Sequence, residues 1–139
     1  MRPPDEVVLD FVRQWLRKAD SDLEAAGHLI AADSDFCAAA AFHAQQAVEK
    51  YLKAVLVRHQ LDFPRTHDID RLVDLVRTVD PGLGLIVEGA AILTPYGVEV
   101  RYPADLPEPT REEALEAVRL AGRVKRAVLE HLPRGNSVR

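Results

Sequence analysis

The sequence predicts an all-α fold, an up-and-down helical bundle of four to five helices with a structured loop before the last helix. Three observations carry this. Apolar residues recur at spacings of three and four through several long segments. No segment alternates apolar and polar residues in the manner of a half-buried strand. Proline, glycine and cap-forming residues fall between the periodic segments. A chain of 139 residues fits one helical domain spanning 1–139, and at that length roughly two-thirds of the surface exposed by the unfolded chain is buried on folding.

Pro3 and Pro4 precede the first helix, in which Val8, Phe11, Trp15, Ala19, Leu23, Ala26 and Ile30 keep helical spacing. Asp5 and Glu6 stand where the positive end of a helix dipole favours acids. The "DSD" at 33–35 offers a cap for a second long helix from about Phe36 to His59, and so short a connection makes the two helices antiparallel neighbours. Pro64 turns Phe63 away from helix, and Thr66 can cap a third helix, "HDIDRLVDLVRTV". "DPGLG" ends it, and Leu83 to about Leu93 reads as a shorter helix weakened by Gly84 and Gly89. "PYGVEVRYPADLPEP" is too rich in proline to be regular, and a loop of that length in a small domain suggests function. The last helix opens at Thr110, where "TREE" sets Glu113 three residues on as a capping box, and it runs to about Leu132.

Bulk composition excludes several classes. With 47% hydrophobic and 29% charged residues the chain is neither disordered nor fibrous. A formal net charge of -4 argues against a general nucleic-acid coat, so any contact with RNA is local. The single cysteine, Cys37, allows no disulfide framework and reads as a small core residue. No apolar run approaches the roughly twenty residues that span a bilayer, so no membrane association is expected and a cytoplasmic location is predicted. His43, Glu49, His59 and His67 lie close in sequence but in no recognised ligand spacing, so no metal is expected. "GLGLIVEG" lacks the lysine and the preceding strand of a phosphate-binding loop, and no cofactor is expected.

The polar residues that interrupt "FHAQQAVEKYLKA" pose the functional question. His43, Gln46 and Lys50 share one face of the second helix, whereas Ala41, Val48, Leu52, Val55 and Leu56 line another. That polar face is either a helix-bridging hydrogen-bond network or the wall of a functional cleft. His67, at the start of the third helix, serves either capping or catalysis. In "YGVEVRYP" two tyrosines, Tyr96 and Tyr102, flank Arg101. A guanidinium suits phosphate or carboxylate and a tyrosine ring can stack on a base, while the alternative is an Arg101 that ties the loop to an acid such as Glu49. Arg119, Arg123, Lys125 and Arg126 form a basic cluster on the last helix, either a solvated face or a phosphate contact.

Taken together, "WLRKADSDLEAA", "AFHAQQAVEKYLKAVL", "PRTHDIDRLVDLV" and "VRYP" resemble, in order and spacing, the signature blocks of bacterial and archaeal HEPN (higher eukaryotes and prokaryotes nucleotide-binding) domain proteins, over roughly residues 11 to 130. The resemblance implies an α-helical bundle, commonly dimeric, often encoded beside a minimal nucleotidyltransferase as a toxin–antitoxin-like pair. It also implies nucleotide or RNA binding by His43, Gln46, Lys50, His67, Tyr96, Arg101 and Tyr102. Many HEPN proteins are metal-independent RNases that use an Arg and a His separated by four to six residues. Here Arg101 is followed by "YPADLP" with no His in reach, and the one formal match, Arg126 and His131 in "RAVLEH", falls at the far end of the last helix. The catalytic candidates are therefore Arg101, His43 and His67.

A homodimer is expected as well. Phe11, Trp15, Phe36, Phe63 and the run Ala38 to Ala41 supply more apolar surface than one four-helix core needs, and the predicted contact lies near Arg101 and Tyr102.

Overall fold

The computed structural model describes residues 4–32, 36–97 and 108–133. Its elements are α1 (Pro4–Ala32), α2 (Cys37–Arg58), α3 (Ile69–Val79), α4 (Pro81–Val87), a 3-10 segment (Glu88–Gly97) and α5 (Arg111–His131). All regular structure among the described residues is helical, as the periodicity predicts. Residues 22, 20 and 15 of α1 meet residues 43, 51 and 53 of α2 in that order, so the two run antiparallel. Arg111 and Lys125 of α5 reach Ile30 and Asp20 of α1, which sets α5 antiparallel to α1 and parallel to α2. The shorter elements α3, α4 and the 3-10 segment make the return between them; α3 and the 3-10 segment pack on α2, and α4 packs on α3, α5 and the 3-10 segment.

Helix α2 is the centre of the bundle because its apolar residues come from more than one stripe. Ala41, Val48, Leu52, Val55 and Leu56 are all buried, and so are Ala44, Ala47, Tyr51 and Ala54. Each of the larger aliphatic side chains contributes about 1.5–3 kcal/mol when removed fully from water. A smaller cluster of Ile30, Cys37, Ala40 and Ala114 closes the end where α1 finishes and α2 and α5 begin, and there Cys37 is a core residue. On α1 the buried stripe is Val12, Leu16, Ala19, Ala26 and Ile30. Phe11, expected on that stripe, is 51% exposed. Apolar residues occur at both 8/11/15 and 9/12/16, and packing against α2 selects the second register.

The ends of the helices follow their local chemistry, with corrections to two expected starts and one expected span. The "DSD" cap at 33–35 lies outside the described residues, and the N-cap position of α2 falls on Phe36, which offers no side-chain acceptor. The third helix is capped by Asp68, whose carboxylate accepts from the Asp70 backbone N at 3.0 Å. Thr66 instead accepts from the Asp68 backbone N, holding the cap residue and not the helix. α4 begins at Pro81, two residues before its expected start, because proline needs no N–H partner at a first helical position and Asp80 accepts from the Leu83 backbone N. It gives way after Val87 to the 3-10 segment, so the single helix expected over 83–93 is two elements. The capping box of α5 forms as predicted, with Thr110 and Glu113 bonded reciprocally at 2.8 and 3.1 Å.

The turn after α2 places a functional segment. Gln60 adopts a left-handed φ of 55°, while the backbone N of Gln60 and of Leu61 donate to Val57 O and Leu56 O. This is the reciprocal pattern that satisfies the last carbonyls of a helix. It turns residues 61–68 back along the side of α2.

Candidate functional site

Gln45, Glu49 and Lys53 have amide or charged side chains and are nevertheless buried, at 0%, 2% and 9% exposure. They stand at successive spacings of four, so one face of α2 carries them as a ladder. Buried charge is costly unless it is paired and fully hydrogen-bonded. Glu49 meets that condition: Lys53 Nζ lies 3.0 Å from one carboxylate oxygen, Gln45 Nε2 donates to the other at 2.9 Å, and Gln46 Nε2 adds a longer bond of 3.4 Å.

The remaining partner of Glu49 is His67, whose Nδ1 is 3.0 Å from both carboxylate oxygens. The carboxylate is only 3% exposed, whereas the His67 side chain is 72% exposed. An ionised carboxylate can only accept, so Nδ1 carries the proton and the neutral ring keeps its lone pair on Nε2. Gln45 donates to the His67 backbone carbonyl at 3.1 Å, which holds the same residue by its main chain. The far end of the 3-10 segment closes on this place. A Cβ at Gly97 would stand 2.8 Å from Gln45 Cδ, so glycine permits the close approach. Tyr96, next to it, is half-buried against the core.

Aromatic side chains border the other end of the ladder. Lys53 Nζ sits 5.5 Å from the Trp15 ring centre and 5.8 Å from that of Phe63, within cation–π range of both. The two rings meet edge to face at 6.3 Å. Trp15 and Phe63 are therefore partly used inside the bundle, which reduces the surplus apolar surface expected to drive dimerisation. Phe11 and Phe36 do remain exposed, at 51% and 45%.

The polar face read from the sequence divides in two. His43 Nδ1 donates to Asp22 at 2.9 Å and Lys50 also bonds Asp22, so these two bridge α2 to α1. Gln46 turns to Gln45 and Glu49 and belongs to the ladder. Arg101 and Tyr102 lie outside the described residues. Gln45, Glu49 and Lys53 carry more of this site than the sequence reading assigned them, and their spacing of four was the available signal. Asp22 gave none, because nothing on α1 tells which acid a neighbouring helix will meet.

A second bridge between helices joins Asp20 to Tyr51 and, at 3.1 Å, to Lys125. Burial, the Asp20 hydrogen bond and the nearby charges of Asp20, Asp22 and Glu24 push the Tyr51 phenol well above its ordinary range. The basic cluster of α5 is largely paired: Arg119 and Arg123 lie 3.8 and 2.8 Å from Glu116. His131 bonds Asp80 at 2.9 Å, so the histidine of the formal Arg126 and His131 match fastens α5 to the start of α4. Among the described residues no group of three His, Cys, Asp or Glu side chains is placed to hold a metal ion, and no helix is long and apolar enough to cross a membrane.

Comparison with known proteins agrees with this architecture. The chain matches the family profile described as HEPN domain over residues 12–132. It is similar to the crystal structure of TT1696 from Thermus thermophilus, at 31% identity and a TM-score of 0.67, over 86% of this chain and 96% of that one. No curated protein matches. A family match that begins within α1 and ends just past α5, together with a 31% identical relative superposing over most of both chains, shows that this protein belongs to the HEPN domain family.

Proposed function

We propose that the chain is a HEPN-type nucleotide- or RNA-binding module that acts in the cytoplasm, as a homodimer, with a minimal nucleotidyltransferase partner in a toxin–antitoxin-like pair. The observation that carries the binding reading is the exposed His67 ring held by the buried Glu49 carboxylate. Besides pairing with Lys53 inside the bundle, the buried carboxylate also fixes the orientation of one exposed imidazole, which helix packing does not require. The partner and the dimer rest on the family resemblance, with the exposed Phe11 and Phe36 as apolar surface available for contact. Co-expression with a nucleotidyltransferase encoded beside this gene, followed by co-purification and a nucleotide-binding titration, tests the reading. A stable complex and saturable binding are expected. Absence of both rejects it.

A second reading, a metal-independent RNase, is favoured by the same tautomer. His67 Nε2 would take the proton of a ribose 2′-hydroxyl, the freed oxygen would attack phosphorus, and the bond to the 5′-oxygen would break with a proton supplied by water. Arg101 is the candidate for holding the charge that develops on the phosphate. Cleavage of RNA that persists in EDTA and is lost in His67→Ala and Arg101→Ala supports this activity. Intact RNA under every condition rejects it.

A further inference from the structure

The loop between α2 and α3 does more than present His67. Residues 61–68 have no helix, and the chain bends at Arg65. On one side of the bend Phe63 rests against Lys53 and Trp15; on the other, His67 bonds Glu49. Lys53 and Glu49 are themselves bonded at 3.0 Å, so both arms of the bend are seated on a single buried ion pair. The apex residue, Arg65, is exposed. Trp15 and Phe63 are both half-buried. An aromatic pair, an exposed guanidinium and an aimed imidazole are thus contributed by five residues of loop and by Trp15 of α1, across the Lys53 and Glu49 pair of α2. Of the neighbouring acids, Glu49 is bonded to Lys53 and His67 and Asp68 caps α3, while Asp62 and Asp70 are exposed to solvent.

We propose that Trp15, Phe63 and Arg65 form a subsite for one nucleotide unit, the base stacking on the aromatic pair, the phosphate taken by Arg65 and the sugar lying toward His67. This rests on the nucleotide- or RNA-binding reading and assigns its residues. Stacking tolerates every base because each has a π face, and a guanidinium matches a phosphate with paired donors. The subsite therefore reads the nucleotide unit and not its sequence.

Trp15 is the only tryptophan of the chain, so its fluorescence reports on this subsite alone. The full-length protein is titrated with AMP and, separately, with a short single-stranded 2′-O-methyl oligoadenylate, which cannot be cleaved by 2′-hydroxyl attack. Anisotropy of a labelled oligonucleotide measures binding independently of Trp15. Saturable quenching is expected, by AMP where the site takes free nucleotide and by the oligonucleotide alone where adjoining phosphates are needed. Phe63→Leu should weaken binding on the order of tenfold. Arg65→Gln, an exposed change that spares the core, should weaken it severalfold and lower the slope of log affinity against log salt by about one. Oligonucleotide binding by anisotropy with Trp15 emission unchanged and Arg65→Gln equal to the parent overturns the subsite and leaves the binding reading standing. Failure of both probes to bind overturns the subsite together with that reading.

Discussion

Glu49 and His67 face each other with unequal access to water: both carboxylate oxygens lie 3.0 Å from the imidazole Nδ1, yet the acid is 3% exposed and the ring 72%. The two residues should therefore respond differently to truncation. Glu49→Ala leaves the Lys53 ammonium, 11% exposed, without its anion, and removing one member of a buried pair costs about 3–5 kcal/mol. His67→Ala should cost no more than about 1 kcal/mol, because most of its ring is in water. Urea denaturation of both variants measures this, and equal losses would show that the pair is not organised as described.

Acid should act through Asp80. Burial raises its pKa, but the Leu83 backbone N–H, the His131 hydrogen bond and the charges of His131 and His59 outweigh that and leave the carboxyl below its usual value. A carboxyl depressed in the folded state adds stability above its unfolded pKa of about 3.9, and that stability is lost as pH falls through the lower folded value. Asp80→Asn should accordingly lower stability at neutral pH and flatten its decline below about pH 4. Parallel pH profiles of parent and variant give the comparison.

Alkali should act through Tyr51 in the opposite sense. Its phenol is raised in the folded state, so the contribution is complete below the unfolded value of about 10 and disappears as pH climbs through the folded one. Tyr51→Phe should remove about 1 kcal/mol near neutrality by deleting the bond to Asp20. It should also reduce the steepness of alkaline unfolding, followed by circular dichroism.

Two glycines should give opposite signs when replaced by alanine. A Cβ at Gly84 would lie 2.4 Å from Arg77 Cγ and 3.0 Å from Arg77 Cα, so Gly84→Ala must force α3 and α4 apart at a cost of about 1–3 kcal/mol. A Cβ at Gly122, within α5, meets nothing inside 4 Å, and Gly122→Ala should stabilise by about 0.5–1 kcal/mol through helix propensity and lower unfolded-state entropy. Thermal unfolding of the pair settles both signs.

Much of the fold was legible in the chain itself. Apolar spacing disclosed the long helices, Thr110 and Glu113 announced the start of α5, and the buried face of α2 was read residue by residue, because these features depend on side chains within a few positions of one another. Gly84 shows where local reading stopped: it was taken as a weakness of the fourth helix, and its use, a close approach to Arg77, exists only once α3 and α4 are folded together. The same limit governed the site. The sequence by itself placed His43, Gln46 and Lys50 on one polar face and singled out His67. Only the tertiary structure decided that Asp22 of α1 takes His43 and Lys50, while Glu49 takes His67. A carboxylate's partner is chosen by which helix and loop pack beside it and by the need to neutralise a charge once it is buried, and neither is set by neighbours along the chain.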